Sequence, residues 1–532
     1  RIVVEAGGSV VLSGVAPNYT QLFHLAGYGN SLAFASTSYG AIRFTANNTT
    51  VSGGILLTAD AGVHTNFSGA NGTTGILINS AITDGGNNFG FTRFAFTRGD
   101  GTLTLAAANT YGGATTLGRA LSGYSGGVTI LDFTAATSPQ NDILYNGLVA
   151  AGNLNFIGGN SVSVLRLVGK DGQTHSQRFN NVTVSGTHSS LELLPGVGGT
   201  VNVTLGTFTR TANGTLSIVA PSSGTVTTTQ AAGFVGPWLT YTAANGSRSW
   251  AQSAGGLMTN GYAGTLIYTT GSSLSTAPFS AASDVAIDST STGDLTLGAG
   301  ITNLTTLSMS DLTAARQIAL GTGQTLRLGT AGGIQLVNGA RALTVGVSGQ
   351  TSTLSAGGAV TNTIGSLFLT NNSSVELLTI NSNLANNGSS AVTLIINGAP
   401  ASRTVLTGTN AHTGGTQISS GILEVRSNGA LGTSGTVTVV DGATLALSGN
   451  ITISRALAAI GGFGDGNNGA IRSISGDNII SGAIGQNAMF MIAADAGASL
   501  TIQSTSVMTY SSALTFGGAG TVTVNAVLGG TA

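Results

Sequence analysis

Cysteine is absent from the 532 residues. Its absence removes disulfide frameworks, thiolate nucleophiles, zinc-thiolate sites and iron-sulfur ligation together. Charge is almost as scarce: Asp, Glu, Lys and Arg make up 7% of the chain, where roughly 25% is usual. With 17 basic against 18 acidic residues and a net charge of -1, no basic field exists to draw in nucleic acid or an anionic membrane. Lys170 is the only lysine, so the Lys-Asn cross-links that toughen some surface fibres have at most one place to form. No apolar run approaches the roughly 18 to 20 residues of a membrane helix, because Gly, Asn or Thr interrupts every few positions, and no membrane insertion by this segment is expected. No basic-then-apolar leader precedes Arg1, so a processed chain or an excerpt is expected.

Glycine, by contrast, occurs 83 times, and the hydrophobic share of 41% is enough to build a core. Alternation of apolar and polar residues is widespread, as in Ser161-Val162-Ser163-Val164-Leu165-Arg166-Leu167, Thr436-Val437-Thr438-Val439 and Thr521-Val522-Thr523-Val524. Such alternation predicts half-buried strands. Between them lie Asp84-Gly85-Gly86-Asn87, Gly169-Lys170-Asp171-Gly172 and Asn428-Gly429, residue types that accept the positive φ of tight turns. The best helical stretch, Asp311 to Gln317, is followed at once by Gly321 and Gly323 and reads as a turn.

Repetition decides the architecture. Leu105 to Leu117, which contains Asn109-Thr110-Tyr111-Gly112-Gly113-Ala114, realigns without gaps on Leu406 to Ile418, which contains Asn410-Ala411-His412-Thr413-Gly414-Gly415. Each copy runs from a strand through an Asn-centred turn and a Gly-rich corner into a Thr-rich strand. A sandwich or propeller exposes much loop surface and carries more charge, whereas stacking like on like forbids columns of repeated charge. The expected fold is therefore all-β: an elongated, right-handed parallel β-helix (β-solenoid) with loop insertions. Residues 1–532 would form one continuous solenoid, with 231–261 an inserted loop region and repeat-signature segments at 99–133 and 404–447. At about 20 to 25 residues per coil the chain would make on the order of 21 to 27 coils.

Several stretches resemble the bacterial autotransporter-associated β-strand repeat proteins. Gly99-Asp100-Gly101-Thr102-Leu103-Thr104-Leu105, leading to Asn109-Thr110-Tyr111-Gly112-Gly113-Ala114-Thr115-Thr116, is similar to that family's pattern of G-x-G-T-L-x-L, N-T-Y and a G-x-T-T corner. Thr413-Gly414-Gly415-Thr416, Gly421-Ile422-Leu423-Glu424-Val425, Gly429-Ala430-Leu431-Gly432 and Asp441-Gly442-Ala443-Thr444-Leu445-Ala446-Leu447 resemble the same repeat with its tail. The resemblance implies an exported, cell-surface or extracellular β-helical passenger, with no enzymatic activity carried by the repeat. The resemblance also implies a membrane-embedded C-terminal barrel, and the expectation is that this part was removed or that the anchor differs.

Individual motifs read mostly as structure. Arg98-Gly99-Asp100 spells an integrin-recognition tripeptide but falls where the repeat needs a tight turn. Gly461 to Asn467 resembles a calcium-binding nonapeptide, one residue short and present once, which favours a Gly/Asn loop. Asp284 and Asp288 are the closest acidic pair; on one strand they stand about 13 Å apart, too far for direct partnership, which leaves a pair assembled from neighbouring coils as the route to glycan cleavage. His24, His64, His175, His188 and His412 are scattered, and His412 aligns with Tyr111, so a packed ring is expected there. Trp238 and Trp250 bracket Tyr241 and read as an aromatic staple, with sugar stacking the alternative. Asn48, Asn71 and Asn202 begin Asn-x-Thr/Ser triplets that an Asn/Thr-rich composition produces by itself. Catalytic, metal and cofactor-binding residues are expected to be none.

The expected function is a non-enzymatic extracellular structural protein, a rigid surface fibre or spacer of autotransporter-passenger type. Ile2-Val3-Val4 and Thr521 to Val524 read as uncapped strands, so end-to-end self-association or continuation of a longer array is expected. The alternative is an adhesin whose inter-coil loops bind glycans or neighbouring cells. A polysaccharide-active β-helix enzyme is third.

Overall fold

The alternating runs become short strands, each paired in parallel with its counterpart one coil later. The protein is described by a computed structural model, which describes every residue except 15–16, 30–39, 66–74, 96–100, 120–125, 145–146, 148–151, 160, 212, 263, 270, 504–507, 511–512, 527 and 531–532. The fold is an all-β parallel solenoid of about 17 turns, with essentially no helix. Fewer turns form than the expected 21 to 27 because the coils are on average longer than 20 to 25 residues, and their length varies widely. Asn155 Nδ2 reaches Thr116 Oγ1 in the previous coil across 39 residues, whereas Thr393 Oγ1 reaches Gly414 O across only 21.

The chain divides into two compact units. The first comprises Arg1–Val235, Tyr241–Ser247 and Gln252–Thr259; the second comprises Gly236–Thr240, Arg248–Ala251 and Asn260–Ala532. The span 231–261 thus contributes to both. Within the first unit it supplies strands Gly233–Phe234, Gln252–Ala254 and Leu257–Thr259, which pair antiparallel.

Inside the first unit, Ile78, Leu105, Leu131, Leu167 and Leu193 stack in register through five successive coils, all buried. A longer column in the second unit runs Val285, Leu307, Ile334, Leu369, Ile396, Ile418, Val439 and Ile460. Each such side chain contributes about 1.5 to 3 kcal/mol on full burial. The core is therefore a set of aliphatic columns, and stability is shared between neighbouring coils. Outside, side-chain amides and hydroxyls form their own ladders: Asn181 Nδ2 donates to Asn153 Oδ1 at 3.0 Å, and Asn202 Oδ1 accepts from Thr225 N and Oγ1, both at 3.0 Å.

The stretch from Asp311 is a turn, as read. Its carboxylate accepts from Thr313 N and Oγ1 at 2.7 and 2.6 Å, and a strand, Arg316–Ala319, follows.

Candidate functional site

Two features concentrate polar chemistry: the corner of the internal repeat, and one charged face in the second unit. In the second copy of the corner, Asn410 is buried and spans its neighbours on both sides. Its Oδ1 accepts from Leu384 N at 2.7 Å, its Nδ2 donates to Ala430 O at 2.6 Å, and its own N donates to Gly429 O at 3.0 Å. Asn109 does the same in the first copy. Its Oδ1 accepts from Ile82 N at 2.9 Å, and its Nδ2 and N donate to Ile143 O at 2.9 and 3.0 Å. One carboxamide thus satisfies backbone groups of strand and turn that lie outside the regular ladder, and does so across three consecutive coils.

The ring two residues on is equivalent in the two copies. Tyr111 Oη lies 2.5 Å from Thr115 Oγ1, and His412 Nε2 lies 3.0 Å from Thr416 Oγ1, all four residues being buried. Burial, followed by the Arg455 charge, lowers the His412 pKa to about 4, so this imidazole is neutral at pH 7. The shared glycine is equally determined. A Cβ on Gly113 would stand 2.4 Å from Phe89 C, and one on Gly414 would stand 2.6 Å from Val392 C. Their N-H groups donate to the carbonyls of those same residues, Phe89 and Val392, both at 3.0 Å. The preceding coil completes the corner: Asp84 Oδ2 accepts from Gly112 N at 2.8 Å, and Asn386 Oδ1 accepts from Thr413 N at 2.9 Å.

The charged face lies on strands Arg403–Leu406, Ile422–Val425, Thr444–Ser448 and Ile471–Ser475. Glu424 is buried between two half-exposed guanidiniums, with Arg426 Nε at 2.6 Å and Arg403 Nε at 3.3 Å. The first contact is a hydrogen bond; the second is an ion pair whose geometry is not that of a hydrogen bond. Arg472 grips Asp495 with Nε and Nη2 at 2.6 and 2.9 Å. Together with Ile422, Ala446 and Ile474 these groups line a cavity of about 320 Å³. Sequence reading missed this cluster. Arg403, Glu424 and Arg472 become neighbours only through the register of the coils.

The residues singled out from sequence take mostly structural places. Asp284 accepts from Thr306 Oγ1 at 2.6 Å, while Asp288 caps its own turn through Thr290 N and Oγ1; the two are not brought together. Both Asp465 oxygens receive Ala401 N, at 3.0 and 3.1 Å. Among the described residues no group of three or more His, Asp or Glu stands close enough to hold a metal ion. His64 stacks on Phe94 and His175 on Phe133, with centroids 5.2 and 4.9 Å apart, and His188 Nδ1 lies 2.8 Å from Thr215 Oγ1. His24 is half-buried on strand Phe23–Gly27. Trp238, Tyr241 and Trp250 are buried, and Trp250 Nε1 donates to Thr370 Oγ1 at 3.1 Å, so neither tryptophan offers an exposed platform. Lys170 and Asn48 are exposed at turns. Arg98-Gly99-Asp100 and Asn71 lie outside the described residues.

The fold and the corner together define a parallel β-solenoid whose successive coils are bolted by a recurring Asn, ring and Gly unit. The family described as passenger-associated-transport-repeat matches the chain at residues 98–119 and 401–425, the two segments that form this corner. The chain thus carries two copies of a repeat matching the autotransporter-associated family. No curated protein matches it. Among the described residues no helix is long and apolar enough to cross a membrane.

Proposed function

We propose that this chain is a non-enzymatic structural protein of autotransporter-passenger type, acting outside the cell or at its surface as a rigid spacer. One observation carries the reading: both matched repeat segments use their distinctive residues to join coils. Asn109 and Asn410 spend their side chains on backbone groups of adjacent coils, and Tyr111 and His412 are enclosed rings. Chemistry that an enzyme would present to a substrate is here turned inward. The carboxylates of the charged face support the same reading, since Glu424 and Asp495 are each held by arginine rather than poised as an acid and a base.

Electron microscopy of the native secreted material tests the proposal. Rods of constant width, with no turnover of polysaccharides, are expected, and filaments would extend the reading to end-to-end self-association. Globular particles, or turnover abolished by Glu424→Gln, would overturn it.

A further inference from the structure

The charged face goes beyond what a spacer needs. It gathers Arg403, Glu424, Arg426, Arg472 and Asp495 around one cavity, in a chain with only 17 basic and 18 acidic residues. Three guanidiniums face two carboxylates there, a local excess of positive charge on a chain whose net charge is -1. A second cavity of about 180 Å³ shares Arg403 and Ile422 with the first and continues past Leu377 and Val375 to Glu376, whose carboxylate is paired with Arg341 at 3.1 Å.

Register explains why a groove opens at this place. Leu377, Arg403, Ile422 and Thr444 are aligned partners, as are Glu424, Ala446 and Arg472. Glu424 and Arg472 carry charge on either side of Ala446, which carries only a methyl group. The methyl leaves the space, and its neighbours leave the charge. With strands about 4.8 Å apart, the five strands from Leu377–Ile380 to Ile471–Ser475 carry the groove across about 19 Å along the stack.

The guanidiniums differ in how far they are engaged. Arg472 commits its fork to Asp495. Arg403 and Arg426 meet Glu424 through Nε, and their side chains are 39% and 43% exposed. Ile422 and Ile474 add an apolar floor, with the buried Ala446 beneath it. A linear ligand that sets carboxylates against arginine forks and C-H faces against aliphatic side chains matches this lining. We infer that the groove binds an acidic polysaccharide of the polyuronate class, laid across successive coils with a carboxylate between Arg403 and Arg426. Nucleic acid fits less well, because no aromatic ring lines the groove for base stacking. The inference is independent of the spacer role, which stands whether or not the groove is occupied.

Isothermal titration of the full chain with polygalacturonate at low salt tests it, with dextran as the neutral polymer and heparin as the sulfated one. Binding of polygalacturonate that weakens as salt rises, with no binding of dextran, is expected. Arg426→Gln should weaken binding about tenfold or more; it also takes a hydrogen bond from the buried Glu424, so a small fall in the unfolding temperature is expected with it. Arg426→Lys, which keeps the charge but not the fork, should recover only part of the binding. Absence of polygalacturonate binding, equal binding of heparin, or full affinity in Arg426→Gln would each overturn the assignment.

Discussion

Replacing Asn410 with alanine isolates the contribution of the repeat's corner. The substitution leaves the peptide chain of the corner in place but strips the partner from Leu384 N-H and from Ala430 C=O. A buried polar group left without a partner costs about 1 to 3 kcal/mol, so the pair costs about 2 to 6 kcal/mol. In a solenoid each coil contacts only its neighbours, so the loss is felt in the coils that Asn410 joins. Native-state hydrogen exchange is the suitable assay, because it reads local opening amide by amide. The Leu384 amide should exchange about 30-fold faster or more, the counterpart of about 2 kcal/mol at 1.4 kcal/mol per tenfold, while the Ile82 amide held by Asn109 should be unaffected. Asn410→Asp sharpens the test. It keeps the acceptor for Leu384 N-H, but only a protonated carboxyl can donate to Ala430 O, so its folded-state pKa is raised above the unfolded value. The stability it contributes is then full below the unfolded carboxyl range and is lost as pH rises through the folded pKa. An unchanged Leu384 exchange rate in Asn410→Ala, or a denaturation midpoint displaced by less than about 0.5 kcal/mol, would refute the bracing role.

Other consequences are open to measurement. Burial, more than neighbouring charge, lowers His412 to about 4 and His64 to about 3; the unfolded chain therefore binds more protons than the folded one between those values and about 6.5. Stability should fall as pH drops through that window, and His412→Tyr should flatten the slope while preserving the midpoint at pH 7, because Tyr111 already fills the equivalent site. Gly414→Ala, whose Cβ would meet Val392 backbone at 2.6 Å, should destabilise by about 1 to 3 kcal/mol, whereas Gly321→Ala, with its nearest neighbour at 3.6 Å, should change the unfolding midpoint little. Removing Arg403 and Arg426 together strands the buried Glu424 carboxylate and should cost about 3 to 5 kcal/mol; Glu424→Gln leaves two half-exposed arginines in water and should cost less in the same denaturation assay.

The parallel stacking was legible in the sequence because period-two alternation and an ungapped internal match are properties of single strands and of one coil. Both survive as written: Leu105 and Leu406 end buried strands, and the aligned Asn and Gly residues hold the same positions in space. Coil number was not legible. Insertions such as the one between Thr116 and its partner Asn155 lengthen a coil without disturbing its strands, so nothing in the strand pattern counts them. The antiparallel strands between Gly233 and Thr259 were also hidden, since short polar runs with glycine pair in either direction.

The charged face was illegible for a different reason, and that reason bears on its function. Arg403, Glu424 and Arg472 are scattered in sequence, and their partnership exists only once coil lengths are known, because register alone decides which residues become neighbours. A solenoid built for stiffness alone has no need of a buried carboxylate, whose desolvation must be offset by two arginines. An apolar or Thr-rich row like those on its other faces would serve as well. Uncompensated stacking of like charge would destabilise adjacent strands, so the arrangement avoids it by placing opposite charges on successive coils, then interrupts the order at Ala446. Interruption of an otherwise compensated row, at the position where a cavity opens, is the feature that a purely mechanical role leaves unused and that a polyanion-binding groove employs.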